Sequence, residues 1–321
     1  MYQTGPSASP VALLDTFMAF CVAAGWTQDA YSVDGTGKRG HLNKGTQFIH
    51  LRSFISEDVE RLGSIAGVFG SGIAITASGA YANNANWWNQ PGAPYFYNGN
   101  PNTQVVTAIM PLPAGAIQNY WMFADAAGDN VHLIALKSSG IYNHLGFGQI
   151  IKPQAYTGGN LFTATRVYNG AFLAGSGITL PSGPPGSVAA FLRADVDSLA
   201  DRWNQITVTA PVNGGLNPGH RMQSSTAPVA GGPTLAAESI FYGFLRARAR
   251  SLRTSSLLLL PTLWMMERDF GGAVAGGGWS YAGQVPDIFQ TTSTGFAPGE
   301  QYDISTDEYI IFPEFAVRKY P

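Results

Sequence analysis

Residues 118–152 read QNYWMFADAAGDNVHLIALKSSGIYNHLGFGQIIK, and their punctuation decides the fold. The apolar run Tyr120-Trp-Met-Phe-Ala-Asp125 ends at a turn, Ala127-Gly128-Asp129-Asn130. Val131–Lys137 then reads as a second strand, Ser138-Ser139-Gly140 as a second turn and Tyr142–Ile151 as a third strand. Connections this short make the strands antiparallel neighbours, so the segment is a β-meander. Its strands are expected to bury Trp121, Phe123, Leu133, Leu145 and Phe147, or the residues that alternate with them.

Working toward the start of the chain, Ser9-Pro10 supplies an N-cap and a proline at the first helical position. Val11, Leu14, Phe17, Met18 and Cys21 follow at helical spacing, which predicts an amphipathic helix over Pro10–Ala24. Gly25 provides a left-handed stop, and Trp26 can fold back on the last turn. Short strands are expected at Tyr31–Val33, Gly40–Leu42, Gln47–Phe54 and Gly72–Ala77, with a turn over Asp34–Gly37.

Working toward the end, Pro181-Ser-Gly-Pro-Pro-Gly186 is a break that divides the chain into a helix-plus-meander region, 1–182, and a β-rich region, 187–321. The latter should hold a strand at Val188–Ala194, an extended loop over 210–234 and a helix at 235–250. Leu257–Arg268 reads as a strand bent near Pro261, and Tyr281–Val285 and Tyr309–Phe315 as further strands. The fold class is therefore α+β, mostly antiparallel sheets with two helices.

Composition narrows the function. The 321 residues are 45% hydrophobic but only 12% charged, with 39 Gly and 20 Pro. That is about half the ~25% charged content of ordinary soluble domains, yet the chain is too apolar to be disordered. A net charge of −2 gives no global attraction for nucleic acid or an anionic membrane. Cys21 is the single cysteine, so intrachain disulfides and multi-thiolate metal sites are excluded, and it reads as a buried structural thiol. The opening MYQTGPSASP lacks the pattern of a secretion signal. The longest apolar run, Ser255–Met266, contains Pro261 and is too short to span a bilayer as a helix.

Charge is also unevenly placed: no Asp, Glu, Lys, Arg or His occurs from 62 to 124. This stretch reads either as core strands with polar loops or, favoured here, as a surface covered by another subunit. Trp87, Trp88, Tyr95, Phe96 and Tyr97 are its interface candidates, and the same rings could stack on sugars. Trp203–Ala237 is similarly charge-poor and reads as an extended arm.

Chemical motifs are weak. Gly35-Thr-Gly37-Lys-Arg-Gly40 fits G-x-G-x-x-G, but the residues after it look extended rather than helical, so it reads as a hairpin turn. Gly278-Trp-Ser280-Tyr-Ala282 narrowly misses a nucleophile elbow. The histidines at 41, 50, 132, 144 and 220 show no helical ligand spacing, although His132 and His144 lie on adjacent predicted strands as a cross-strand pair. Asp195, Asp197 and Asp201 begin like a calcium loop without its glycine and glutamate. Asp303, Asp307 and Glu308 form the best carboxylate cluster. No catalytic residue, cofactor or metal is expected. Arg246, Arg248, Arg250 and Arg253 are clustered, and Arg246, Arg250 and Arg253 share one helical face. A solvated helix end, an acidic patch on a neighbouring subunit, or a DNA backbone would each suit them.

YWMFADAAGDNVHLIALKSSGIYNHLGFGQIIK, followed by Tyr156-Thr-Gly-Gly159, resembles a pattern of virion structural proteins from tailed bacteriophages. The start is similar too, with a short polar lead, a helix ending in Ala-Gly-Trp26, a hairpin and a basic strand. The resemblance covers mainly the first ~170 residues and points to tail proteins of contractile-tailed phages. It implies a non-enzymatic building block in a tail-terminator or collar-like ring, or at the baseplate or sheath. Its expected partners are copies of itself in a symmetric ring and other tail proteins, with no membrane or nucleic acid among them. Its expected place is the virion, after assembly in the bacterial cytoplasm. A receptor- or glycan-binding tail appendage is the alternative.

Overall fold

Ser9 adopts an extended backbone, and its hydroxyl accepts from the Ala12 N–H at 3.2 Å, which starts helix α1 (Pro10–Ala23) as the sequence requires. Gly25 takes φ +93°, and the Trp26 N–H donates to the Cys21 carbonyl at 3.0 Å to close it. The apolar face is wider than one stripe. Leu13, Leu14, Phe17, Met18, Phe20 and Cys21 are all buried, because α1 lies between two sheets. A computed structural model describes residues 1–58, 69–94, 107–138, 141–152, 157–168, 189–195, 203–207, 221–223, 259–267, 279–291, 296–312 and 315–321.

Strand β1 (Tyr2–Ser7) precedes the helix. After it come β2 (Thr27–Asp34), β3 (Gly37–Lys44), β4 (Gln47–Asp58), β5 (Phe69–Ser78) and β6 (Thr107–Pro111). The meander is β7 (Ile117–Ala124), β8 (Val131–Ser138) and β9 (Ile141–Gln149), continued by β10 (Thr157–Ala164) and β11 (Arg166–Tyr168). Beyond the proline-rich break lie β12 (Ala189–Asp195), β13 (Trp203–Thr207) and β14 (Arg221–Gln223). The chain ends in β15 (Leu259–Glu267), β16 (Trp279–Thr291), β17 (Glu300–Ile304), β18 (Asp307–Ile311) and β19 (Phe315–Lys319).

These strands form three antiparallel sheets. The central one has the order β1-β7-β8-β9-β10-β12-β13-β14 and so runs across the break at 181–186. A six-stranded sheet, β11-β6-β5-β4-β3-β2, covers one of its faces, with α1 in between. A five-stranded sheet, β15-β16-β19-β18-β17, covers the other. The meander therefore buries both faces. Met122, Leu133, Leu145 and Phe147 face the helix, whereas Trp121, Phe123 and Ile134 pack against Ile288, Ile310, Phe312 and Phe315. Burial on two sides explains the unbroken run Trp121-Met-Phe123.

Several expectations need correction. The described part of the charge-free stretch is mainly β5, β6 and β7, and Ile73, Ile75, Met110 and Met122 are fully buried, so these residues form core rather than subunit contact. Strands enclosed on two faces have no need of charge. The extended arm read over Trp203–Ala237 contains β13 and β14, the last two strands of the central sheet. Tyr309–Phe315 is not one strand: β18 and β19 turn back on each other at Phe312, whose N–H donates to the Phe315 carbonyl at 2.8 Å. The polar lead is itself a strand, with Gly5 opposite Tyr120. The bend at Pro261 is present as a register shift between Pro261 and Thr262. The helix expected at 235–250 falls outside the described residues, among which α1 is the single helix.

Candidate functional site

The turn Gly45-Thr46 joins β3 to β4 and sets Lys44 opposite Gln47, which brings His41 opposite His50. Gly45 supplies the positive φ of +61° that a two-residue hairpin turn demands. The two imidazoles meet Nδ1 to Nδ1 at 2.8 Å, both buried. On the next strand, β5, the Ser78 hydroxyl lies 2.7 Å from His50 Nε2 and 2.6 Å from the Ala80 carbonyl.

Those distances fix the direction of every proton. A carbonyl can only accept, so Ser78 donates to Ala80 and must accept from the His50 Nε2–H. His50 Nδ1 is then a lone pair, filled by the His41 Nδ1–H. The chain His41→His50→Ser78→Ala80 holds neutral imidazoles. Burial foremost, then the charge of Arg39, lowers His41 to about 4 against the pull of Asp29 and Asp34. Burial, helped by His41, lowers His50 to about 3. The Tyr81 ring closes the end of the chain, 4.8 Å from the His41 ring.

Serine, histidine and a second histidine are the components of a nucleophile, base and orienting group. Here the polarity is reversed: His50 Nε2 must receive the serine proton to activate it, and in this chain it is the donor. Ser78 is also 1% exposed. What the relay does is fasten Ala80, at the root of the loop 79–93, to the sheet.

That loop carries the tryptophans. Its ends are closed by the Gly79 and Ala80 N–H groups, which donate to the Pro91 carbonyl at 2.9 and 3.2 Å. Buried Gln90 accepts from the Ala82 N–H at 2.7 Å and donates to the Asn86 carbonyl at 3.0 Å. Trp87 is 5% exposed and packs inside the protomer on Phe54, Ala74 and Ile109. Its expected place at an interface is thus corrected, because the outer face of the six-stranded sheet claims the ring. Trp88 packs on the same cluster and stays half-buried. Tyr95, Phe96, Tyr97, Arg246, Arg250 and Arg253 lie outside the described residues.

The remaining motifs take structural places. Gly35 and Gly37 sit in the β2–β3 hairpin, where Arg52 donates to Asp34 at 3.1 Å and to Glu57 at 2.6 Å. Glu57 in turn accepts from the Thr36 N–H and hydroxyl. Ser280 is a residue of β16 opposite Met266. Asp303, Asp307 and Glu308 lie on the β17–β18 hairpin. Arg318 holds Asp307 below the usual carboxylate range, Lys319 pairs with Glu308 at 2.5 Å, and Asp303 accepts from the Gln301 amide at 3.0 Å, so Asp307 and Glu308 are neutralised by neighbours and all three lie on one hairpin. Asp195 ends β12; Asp197 and Asp201 lie outside the described residues.

His132 and His144 are on adjacent strands, one opposite Gly146 and the other opposite Ile134. Burial lowers His132 to about 3 and pushes His144 well down, with His132 adding to the latter. Burial raises the Cys21 thiol pKa well above its ordinary value, which keeps it protonated. Among the described residues no group of His, Cys, Asp or Glu could hold a metal ion, and no helix is long and apolar enough to cross a membrane. No protein-family model matches the sequence, and no curated protein matches it.

Proposed function

We propose that the chain is a structural subunit of a bacteriophage tail that works by docking onto copies of itself and onto other tail proteins. The slots that suit it are a neck, collar or tail-terminator ring, or a component associated with tube, sheath or baseplate. The observation that carries this reading is the edge strand β2. It pairs with β3 on one side only, its residues are mostly exposed, and Val33 is 76% exposed. Monomeric proteins blunt such edges with charges (Lys above all), Pro, bulges or very short strands. Thr27–Asp34 is eight residues long, has neither Lys nor Pro, and after the bulge at Asp29 runs regularly to its end. A neighbour's strand can add there by main-chain hydrogen bonds, and a head-to-tail contact of that kind closes into a ring when its rotation allows. The resemblance of 120–152 to tail proteins gives the same direction.

The test is to replace Thr27, Ser32 and Val33 together with Lys, and to follow gold-labelled chain into phage particles by electron microscopy. The native chain should label one end of the tail and the variant should not. Unimpaired incorporation of the variant would remove β2 from the interface, and absence of the native chain from particles would overturn the reading.

A further inference from the structure

The loop over 79–93 is rich in asparagine. It contains no charged residue, and Asn83, Asn84, Asn86 and Asn89 are all exposed, whereas Trp88, which lies among them in the sequence, is half-buried. Its shape is preset from within. Gln90, the Pro91 carbonyl and buried Trp87 hold the backbone, and short turns bring the Ala85 N–H to the Ala82 carbonyl and the Asn89 N–H to the Asn86 carbonyl. Tyr81 donates to the Asn83 amide oxygen at 2.9 Å. The side-chain amides of Asn84, Asn86 and Asn89 are left facing water.

Each of those amides offers two donors and an acceptor without charge. Such a patch brings no charge of its own and suits a partner dense in neutral hydroxyls, which also donate and accept. The exposed part of the Trp88 indole adds an apolar surface of the kind that lies against the C–H face of a sugar ring. A protein partner fits less well: the core of a protein interface is a broad apolar patch, and this loop offers a single partly covered ring among exposed asparagines. Because the loop is already ordered, a ligand would bear little cost of organising it. From this grouping on one internally braced loop we infer that Asn84, Asn86, Asn89 and Trp88 form a binding site for a neutral saccharide, a function separate from docking at β2.

The full chain would be titrated with maltohexaose, cellohexaose, chitohexaose and mannohexaose to about 10 mM, in the weak range expected of a small open site. Polygalacturonate serves as the anionic control, and calorimetry and tryptophan fluorescence are the readouts. At least one neutral oligosaccharide should saturate, with affinity changing less than about twofold between ~0.05 and ~0.5 M NaCl. Trp88→Ala should weaken it at least about tenfold. Asn84→Leu with Asn89→Leu should do the same, which decides the matter if the tryptophan variant folds poorly. Silence from every neutral sugar, salt-sensitive binding of polygalacturonate alone, or affinity untouched by both variants would overturn the proposal. So would a Trp88→Ala chain that binds sugar normally but sediments differently, since the loop would then be a subunit contact. The β2 variant should bind sugar as the native chain does, so failure of this site and failure of assembly are told apart.

Discussion

Acidification from pH 7 to pH 5 should destabilise the chain far more than its modest charge suggests. His41, His50, His132 and His144 are buried and neutral, with folded values of about 4 for His41 and about 3 for His50 and His132, and His144 also well lowered. Unfolded histidine titrates near 6.5, so the unfolded chain takes up protons first. The contribution is fully present above about pH 6.5 and is lost as pH falls toward the folded values near 3–4. Each imidazole is then worth about 2 kcal/mol between pH 7 and 5, and the four together ~7 kcal/mol. That rivals the whole ~5–15 kcal/mol stability of a typical domain. Carboxylates such as Glu57, which Arg52 and Thr36 hold down against its burial, enter only from about pH 5 downward, at the edge of this window, and Asp287, which burial raises, works against the trend. Urea unfolding followed by tryptophan fluorescence at pH 7, 6, 5.5 and 5 measures the slope. An uptake on unfolding of about one proton at pH 7, rising to ~3–4 between pH 6 and 5, is expected. A slope under about one proton between pH 6 and 5 would mean that the imidazoles are charged or solvated in the native state, and would refute the relay as drawn.

Two further outcomes follow from the same geometry, and a third from the sequence. Ser78→Ala strands the Ala80 carbonyl and the His50 Nε2–H in a buried site, and should cost about 1–3 kcal/mol in chemical denaturation while speeding proteolysis within 79–93. Trp87→Ala should cost ~3–5 kcal/mol and Trp88→Ala under about 1, because only the first ring fills the core; equal melting losses would contradict that division. Replacing Arg246, Arg250 and Arg253 together with Glu should leave the circular dichroism spectrum of the monomer unchanged but keep it out of particles, and normal particles would remove those arginines from docking.

The helix and the meander were legible because their signals are local. Ser9-Pro10 caps, Gly25 stops, and Gly128 and Asn130 mark a turn between two apolar runs. β1 was hidden because Tyr2–Ser7 is Gly- and Pro-containing and gains its identity only from β7, over a hundred residues on. The corner after Phe312 was within reach, since Pro313-Glu314 interrupts the apolar run and a proline cannot donate to a sheet ladder. The histidine pair was within reach: a two-residue turn at Gly45-Thr46 makes His41 and His50 partners by counting outward from it. Ser78 was not, since its place beside His50 depends on β5 lying next to β4 in the sheet. The charge-free stretch was misjudged because a strand enclosed on both faces and a strand covered by another protein are equally apolar.

Velocity sedimentation of the purified chain over a range of concentrations tests the central claim most directly. Assembly through open strand edges predicts discrete species several times the 34.1 kDa protomer mass, lost when Thr27, Ser32 and Val33 become Lys. A single 34.1 kDa species at every concentration up to ~100 µM would contradict it.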